Sequence, residues 1–298
     1  MMSDTPDILC IGSVLWDVIG RSNSSMRQGS DVPGRITQLP GGVALNIAMT
    51  LRRFGLTPAL LSAVGQDTAG EQLIAETEAM GLICKHLYRS ADLPTDKYMA
   101  VEGANGLIAA IADAHSLEAA GEKILAPLQD ATLGSLDAPY SGLIALDGNL
   151  TLTLLSKIAK DPLFASADLR VAPASPGKAA RLRPFLDQTR ATLYVNLEEA
   201  ELLCQKSFDT AAVAAQALIA RGAARALVTH GGNLAAEADA SGLRQATPPQ
   251  VLVARVTGAG DTFMAAHISA ELSGAHKQDA LEQALQAAAR YVSGETTH

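Results

Sequence analysis

One stretch of the chain combines small residues with a carboxylate in a pattern that can transfer a phosphoryl group. Residues 255–263 have the sequence RVTGAGDTF, after an apolar run at 250–254 that predicts a strand and before a helical pattern that continues to about Gly274. A glycine-rich turn between a strand and a helix leaves backbone N–H groups unpaired, and the helix dipole adds positive potential. This arrangement favours an anion site.

The residues of this turn suit phosphoryl chemistry. Gly258 and Gly260 allow close approach of the backbone to a ligand, and Ala259 is nearly as small. Asp261 at the helix start can take a proton from a hydroxyl while the N–H groups stabilise a transferring phosphoryl group. The alternative is an ordinary helix N-terminus with an acidic capping residue, since Gly and Asp are common there.

Composition restricts the class of protein. The chain has 298 residues, 48% of them hydrophobic, which permits one large α/β domain or two small ones. A net charge of −8 disfavours nucleic acid and anionic membranes as partners. Three widely spaced cysteines without a C-x-x-C pair argue against a zinc site and fit a reducing compartment. With no signal-peptide pattern and no apolar stretch of about 18 residues, we expect a cytoplasmic protein without a membrane span.

Strand-like and helical patterns alternate along the chain. Predicted strands lie at 8–12, 58–64, 143–147, 169–172, 192–196 and 226–229. Helical patterns follow most of them, including 151–160, 209–221 and 278–292. The alternation predicts a three-layer α/β/α domain with a mostly parallel sheet. Ligands of such sheets bind beyond the carboxyl ends of the strands, where Asp17, Asp147, Asn196, Thr229 and Asp261 fall.

A second glycine-led helix and a hairpin complete the pattern. Gly41-Gly42 begins an amphipathic helix that ends near Gly55, and it predicts a second backbone anion site with Asn46 in its first turn. The amide of Asn46 either binds a ligand hydroxyl or faces water. Residues 96–112 predict a β-hairpin around Asn105-Gly106. With strand material from 14–40, we expect the hairpin at about 95–112 to form a lid on a single domain spanning 1–298.

Four spaced motifs resemble those of the ribokinase-like (PfkB-type) carbohydrate and nucleoside kinases. Residues 41–48, GGVALNIA, and residues 256–263, VTGAGDTF, are similar to the two signatures of that family. Gly65-x-Asp67-x-x-Gly70 and Asn196-x-x-Glu199 lie between them in the family's order. The resemblance covers nearly the whole chain and implies ATP-dependent phosphorylation of an alcohol, with Mg²⁺ as the metal. It also implies a homodimer through the lid, because lid edges in this family often pair between subunits.

The resemblance implies a role for each matching residue. Those implied for phosphoryl transfer are Asp261 as the base, with Gly258, Ala259 and Gly260 as the anion hole. Those implied for binding ATP are Asn196, Glu199, Thr229, Gly231 and Thr257. Glu199 is also implied to hold Mg²⁺ through water. Those implied for the acceptor are Asp17, Gly41, Gly42 and Asn46. The chain has no P-loop or zincin motif.

Several stretches indicate the acceptor. Residues 33–42, 98–101, 108–113, 146–150 and 172–178 are most similar to pseudouridine kinases, which implies phosphorylation of the 5′-hydroxyl of a C-nucleoside. Lys97, Tyr98 and Asp113 are candidates to contact the base, or they are structural. Leu45 departs from this pattern, because pseudouridine kinases often have Arg there. A drift to another nucleoside or to a free sugar therefore stays open, as does a non-catalytic binding protein on the same fold.

A second departure concerns cations. Many family members have an acidic residue six positions before the catalytic aspartate, where it helps to bind a monovalent cation. This chain has Arg255 at that position. Because an arginine repels a nearby cation, we expect little dependence on K⁺. His267, on the helix after Asp261, is expected to be a packing residue.

Overall fold

The computed structural model describes residues 5–187 and 190–295. The strands are β1 Ile8–Ile11, β2 Leu15–Arg21, β3 Arg35–Gly41, β4 Pro58–Leu61, β5 Ala63–Gly65, β6 Tyr88–Ser90, β7 Lys97–Gly103, β8 Gly106–Asp113, β9 Leu143–Asp147, β10 Asp168–Ala172, β11 Thr192–Asn196, β12 Arg225–Thr229, β13 Ala235–Asp239 and β14 Gly242–Ala246. The α-helices are α1 Val43–Arg53, α2 Thr68–Ala79, α3 His115–Ala120, α4 Leu152–Lys160, α5 Leu197–Cys204, α6 Ala211–Ala220, α7 Ala259–Leu272 and α8 Lys277–Ser293.

The central sheet has eight strands in the order β14-β13-β12-β11-β10-β9-β1-β4. The strands from β12 to β4 run parallel, and the hairpin β13–β14 adds two antiparallel strands at one edge. Alternate residues of β1 enter different cores. Leu9 and Ile11 pack with the helices from α3 to α6, whereas Ile8 and Cys10 pack with α1, α7 and α8. The predicted three-layer α/β/α architecture is therefore confirmed.

Two local predictions were wrong. Residues 250–254 form no strand, and the side chain of Leu252 is 90% exposed. The sheet ends at β14 on that side, and the apolar run does not extend it. The strand predicted at 58–64 breaks at Ser62, and β5 pairs with β6 instead of entering the central sheet. The helix that follows β10 is a 3₁₀ helix, Pro176–Leu186, and Pro184 within it lacks the N–H that an α-helix needs.

The lid segments predicted from the sequence contribute to a separate four-stranded sheet, β3-β2-β7-β8. Asp17 on β2 pairs in register with Leu39 on β3 and Tyr98 on β7, so these three side chains share one face. Hydrogen bonds fix the base of the hairpin. Asp67 accepts hydrogen bonds from the amide and hydroxyl of Thr95 at 2.9 and 2.6 Å. Asp96 accepts from two amides at the start of α3 at 2.9 and 3.0 Å.

Two further properties follow from the described residues. No helix in residues 5–187 and 190–295 is long and apolar enough to cross a membrane. Cys10, Cys84 and Cys204 are free thiols, and all three are buried.

Candidate active site

The first turns of α1 and α7 meet above the carboxyl ends of the parallel strands. The two helices pack against each other. The Nδ2 of Asn46 on α1 donates a hydrogen bond to Oδ2 of Asp261 on α7, at 3.1 Å. The fold therefore brings together two residues that lie 215 positions apart. A carboxylate held by an amide at a helix start can accept the proton of a hydroxyl placed next to it.

The start of α7 retains free backbone donors. Gly258 is its N-cap, in the left-handed conformation at φ 88°, and no side chain among the described residues caps the helix. The N–H of Ala259 donates to the carbonyl of Val256 at 3.0 Å, so that predicted member of the anion hole is engaged within the turn. Gly260 and Asp261 are the second and third helical residues, and their N–H groups have no acceptor within the helix. These two amides are the donors that the turn offers to an anion.

Gly260 has no steric reason to be glycine. No other described atom lies within 4 Å of a Cβ built there, and its φ is not in the left-handed region. Gly258 differs, because a Cβ on it would lie 2.5 Å from the hydroxyl oxygen of Tyr291. Glycine within a helix costs about 1 kcal/mol relative to alanine. The open space at Gly260 leaves room for a ligand to approach the backbone, and its role in an anion hole remains a prediction.

The carboxyl groups around this point titrate near neutrality. Burial raises the pKa of Asp261 to about 7, the Asn46 hydrogen bond opposes this shift, and the charges of Asp147, Asp17 and Glu199 add to it. Burial likewise raises the pKa of Asp17 to about 6. A general base works best when its pKa lies near the working pH.

The start of α1 is closed, in contrast to the anion site that was predicted there. Asp147 is fully buried and accepts hydrogen bonds from Ala44 N at 2.9 Å and from Ser13 N at 2.8 Å. The hydroxyl of Ser13 accepts from Val43 N at 2.8 Å, and its carbonyl accepts from Leu45 N at 3.3 Å. Because an internal carboxylate and Ser13 use these amides, the prediction of a second backbone anion site was wrong.

Asp147 itself does not face a ligand. Its remaining contacts include Asn149 N at 2.7 Å and the hydroxyl of Ser13 at 3.0 Å. A Cβ on Gly12 would lie 2.3 Å from its Oδ2. The expectation that all strand-end carboxylates serve the ligand therefore fails at Asp147, which joins β1, β9 and α1. Ser13 and Asn149 were missed in the sequence because no local motif marks a partner of a distant carboxylate.

The fold requires glycine at positions 41 and 42. A Cβ on Gly41 would lie 2.0 Å from the Asp17 carboxylate. Gly42 has a φ of 97°, and a Cβ there would lie 2.5 Å from the Ser13 carbonyl oxygen. Gly41 thus lets the Asp17 side chain lie against β3. The role of Asp17, Gly41, Gly42 and Asn46 toward an acceptor remains a prediction.

Asn196 and Glu199 form a reciprocal capping box at the start of α5. Glu199 N donates to the Asn196 side chain at 2.9 Å, and Asn196 N donates to the Glu199 carboxylate at 2.8 Å. Glu199 is buried, which raises its pKa to about 7. In the part of the chain that the structure describes, no group of three His, Cys, Asp or Glu side chains is placed to hold a metal ion. Any ion near Glu199 would therefore need other oxygen ligands.

The remaining predicted positions fall at or near the same edge of the sheet. Thr229 is the last residue of β12, and Gly231 follows with a φ of 54°. Thr257 lies directly before the α7 turn, and its carbonyl accepts a hydrogen bond from the Tyr291 hydroxyl at 2.9 Å. Their contact with a nucleotide remains a prediction. No sequence signal marked Tyr291.

The residues proposed to read the base occupy the second sheet. Tyr98 lies beside Asp17, and Lys97 is exposed opposite Asp113. Asp113 bonds to Nδ1 of His115 at 2.6 Å. His267 is fully buried with Nδ1 2.9 Å from the Tyr194 hydroxyl, as expected for a packing residue.

Comparisons with known proteins identify a family and similar folds. Residues 5–297 match the pfkB family of carbohydrate kinases. The pseudouridine kinase of Escherichia coli K12 is 30% identical over 279 residues, which cover 92% of this chain and 86% of that protein. A putative sugar kinase from Clostridium perfringens superposes with a TM-score of 0.79 at 23% identity, covering 99% of this chain and 92% of that one. The ribokinase of Arabidopsis thaliana, solved with ribose and ATP, gives 0.77 at 18% identity, covering 97% of this chain and 93% of that one.

Proposed function

We propose that this chain, which belongs to the pfkB family of carbohydrate kinases, transfers the γ-phosphoryl group of ATP to the 5′-hydroxyl of pseudouridine. As a member of that family it is an ATP-dependent carbohydrate or nucleoside kinase. The choice of a C-nucleoside, and the role of each residue below, are the proposal.

The observation that carries the proposal is the open start of α7. Two amides of that turn have no helical acceptor, and Gly260 leaves space in front of them. Asn46 holds the Asp261 carboxylate at the same point. A non-catalytic binder gains nothing from a carboxylate beside an anion site, because the two negative groups repel each other. A kinase needs both, one for the hydroxyl proton and one for the phosphoryl charge.

The reaction follows from these positions. Asp261 takes the proton of the acceptor hydroxyl as its oxygen forms a bond to the γ-phosphorus. The bond from that phosphorus to the bridging oxygen of ATP breaks, and ADP leaves with the electron pair. The N–H groups of Gly260 and Asp261 stabilise the charge on the transferring group. Asp17 and Asn46 orient the acceptor, which contributes by positioning rather than by covalent chemistry.

Magnesium fits the donor set beside this turn. Glu199 and Asn196 supply oxygen atoms, and Mg²⁺ prefers one or two carboxylates together with phosphate oxygens and water. Glu199 would hold the ion through water, and the bound ion would neutralise phosphate charge in a site where Asp17, Asp261 and Glu199 are all acidic.

Two observations support a nucleoside. The Escherichia coli relative is a pseudouridine kinase, and Tyr98 lies next to Asp17 on the face of the second sheet that carries Asp17. A tyrosine there offers a ring and a hydroxyl to a base edge. Leu45 is fully buried in the core, so this position does not contact an acceptor in this chain.

A competition assay tests the acceptor. Pseudouridine, uridine, cytidine, ribose and fructose are supplied at equal concentration with ATP and Mg²⁺, and Asp261→Asn serves as the inactive control. We expect the highest kcat/KM for pseudouridine. A higher value for ribose or fructose than for every nucleoside would refute the nucleoside assignment and leave the kinase. No turnover with any acceptor would favour a binding protein.

We further propose that the sheet β3-β2-β7-β8 is a lid over the acceptor. Strand β2 carries Asp17, and hydrogen bonds of Asp67 and Asp96 tie the base of the hairpin to the starts of α2 and α3. Residues 15–41 and 97–113 should therefore exchange their amide protons more slowly when acceptor is bound. Equal exchange with and without acceptor would assign this sheet to the fixed core.

The outer face of this sheet supports the homodimer that the family resemblance implies. Ile36, Met99 and Ile111 share one face and are 77%, 45% and 60% exposed. Exposed apolar patches of this kind are typical of interaction surfaces. If the dimer forms here, Met99→Asp should halve the mass measured by light scattering. A wild-type monomer at all concentrations would refute the dimer.

We also propose a cytoplasmic location for this kinase.

A further inference from the structure

The segment that leads into the α7 turn has little structure of its own. Residues 247–258 join β14 to α7 without a strand or helix. Three of its apolar side chains are strongly exposed: Leu252 at 90%, Val256 at 69% and Val253 at 67%. The anion site thus follows a segment that the core does not hold. Something else has to fix the direction from which the chain enters α7.

The last turn of α8 contacts this segment, mainly through Tyr291 of the helix and Arg255 of the segment. The guanidinium of Arg255 lies 3.8 Å from the ring centroid of Tyr291, and its Nε donates to the Tyr291 carbonyl at 2.8 Å. The Tyr291 hydroxyl in turn donates to the Thr257 carbonyl at 2.9 Å. The amides of Ala254 and Arg255 both donate to the Val292 carbonyl, at 2.9 and 3.1 Å.

These contacts lie next to Gly258, the residue at which the chain turns into α7. Tyr291 binds the carbonyl of Thr257, the residue before the left-handed Gly258. The same hydroxyl leaves no room for a Cβ on Gly258. The orientation of the next peptide groups, including the N–H of Gly260, therefore depends on where Tyr291 holds Thr257. Displacing an N–H donor by about 1 Å is enough to weaken its action on a developing charge.

We propose that Arg255 and Tyr291 form a clamp that positions the anion-binding turn of α7 for phosphoryl transfer. Both are positioning residues, since they act through Thr257 and Gly258 rather than on the substrate. The proposal rests on the proposed function for its effect on turnover. Its effect on the turn itself can be measured without substrate.

The test uses Tyr291→Phe, which keeps the ring and removes only the hydroxyl, and Arg255→Ala, which removes the stacked cation. We expect each to lower kcat about fivefold, the loss typical of one weak polar contact. The KM for the acceptor should stay within twofold, because Asp17 and Asn46 lie on other elements. Arg255→Lys keeps the charge but not the planar stack, so it should restore activity only in part. Arg290→Ala, which removes an exposed arginine one position before Tyr291, is the matched control and should leave kcat unchanged.

The double variant of Arg255→Ala and Tyr291→Phe separates a clamp from two independent contacts. We expect its loss of kcat to be smaller than the product of the single losses, because both act on one turn. Amide exchange of residues 255–261 without ligand should be faster in both single variants than in the wild type and the Arg290→Ala control. Unchanged exchange in this segment would overturn the clamp. If the wild type phosphorylates none of the tested acceptors, the proposed function fails and the exchange result alone decides the clamp.

Discussion

The starts of α1 and α7 have similar sequences, but their backbone amides differ in whether they already have an acceptor. Each follows glycines, and neither has a conventional side-chain cap at its own N-cap residue. At α1 the amides of Val43 and Ala44 already donate to Ser13 and Asp147. At α7 the amides of Gly260 and Asp261 have no helical acceptor. A glycine-led helix start is therefore an anion site only if no internal carboxylate has occupied it.

The glycines themselves show the same division. Position 42 requires glycine because its φ is 97° and because a Cβ there would lie 2.5 Å from the Ser13 carbonyl oxygen. Gly260 faces open space. Gly42 is therefore required by the fold, whereas Gly260 is not, and its proposed role is toward a ligand. The start of α1 is a structural joint, and the start of α7 is the one proposed to be reactive.

The largest expected effect comes from Asp261→Asn. Loss of a general base lowers kcat by about 10²–10⁴, and binding of ATP and acceptor should persist because the amides remain. Burial raises the pKa of Asp261, so the folded state disfavours its charge, and the variant should unfold at the same or a higher temperature. Steady-state kinetics and thermal unfolding measure both. Turnover within threefold of wild type would remove Asp261 from the mechanism.

Asp147→Ala should act on stability instead. The substitution leaves the buried amides of Ser13, Ala44 and Asn149 without their acceptor, and each unsatisfied buried group costs about 1–3 kcal/mol. Partial relaxation and water entry limit the sum to about 3–5 kcal/mol of unfolding free energy. Urea denaturation measures this loss. A stable but inactive Asp147→Ala protein would erase the contrast between the two helix starts.

A pair of alanine substitutions sharpens the contrast between the glycines. Gly260→Ala should raise the unfolding free energy by about 0.5–1 kcal/mol, since alanine favours a helix, and lower kcat about tenfold or more by crowding the anion. Gly42→Ala should destabilise the protein by about 1–3 kcal/mol because of its backbone conformation. Chemical denaturation and kinetics on both variants are compared. Wild-type kcat in Gly260→Ala would mean that no ligand approaches this residue.

The pH dependence of kcat/KM should reflect the reactive start. The pKa of Asp261 is raised to about 7, and only the deprotonated carboxylate accepts a proton. Activity is therefore present above pH 7 and falls as the pH drops through 7, reaching about one tenth of its plateau at pH 6. The same shift makes the folded protein lose stability as the pH rises toward 7. A flat profile from pH 6 to 8 would contradict this assignment.

The smallest expected effect is that of potassium. Arg255 already places a positive charge next to the turn, where it stacks on Tyr291 and binds its carbonyl. Adding K⁺ at constant ionic strength should therefore change kcat by less than twofold. A parallel titration of Arg255→Ala shows whether the side chain is the reason. Steep activation of the wild type would show that a cation binds here despite the arginine.

Much of the architecture was determined by the sequence alone. Continuous apolar runs of about four residues, such as 143–146 in β9, predicted parallel strands buried on both faces, and this was confirmed. The helical period at 43–53 and the turn at Asn105-Gly106 also have local causes, namely side-chain spacing and backbone freedom. The motif around Asp261 indicated the chemistry because its residues are adjacent in the chain.

Tertiary structure decided what local pattern cannot encode. Residues 250–254 have a strand's composition, yet they do not pair with β14, which is the edge strand on that side of the sheet. Ser13 and Asp147 lie 134 positions apart, and their contact closes the start of α1. Arg255 and Tyr291 lie 36 positions apart, and their contact holds the turn of α7. Every helix start has unpaired backbone N–H donors, and this much can be predicted from the sequence. Whether an N–H is free to bind a ligand depends on whether a residue distant in the sequence accepts its hydrogen bond, and only the tertiary structure determines that.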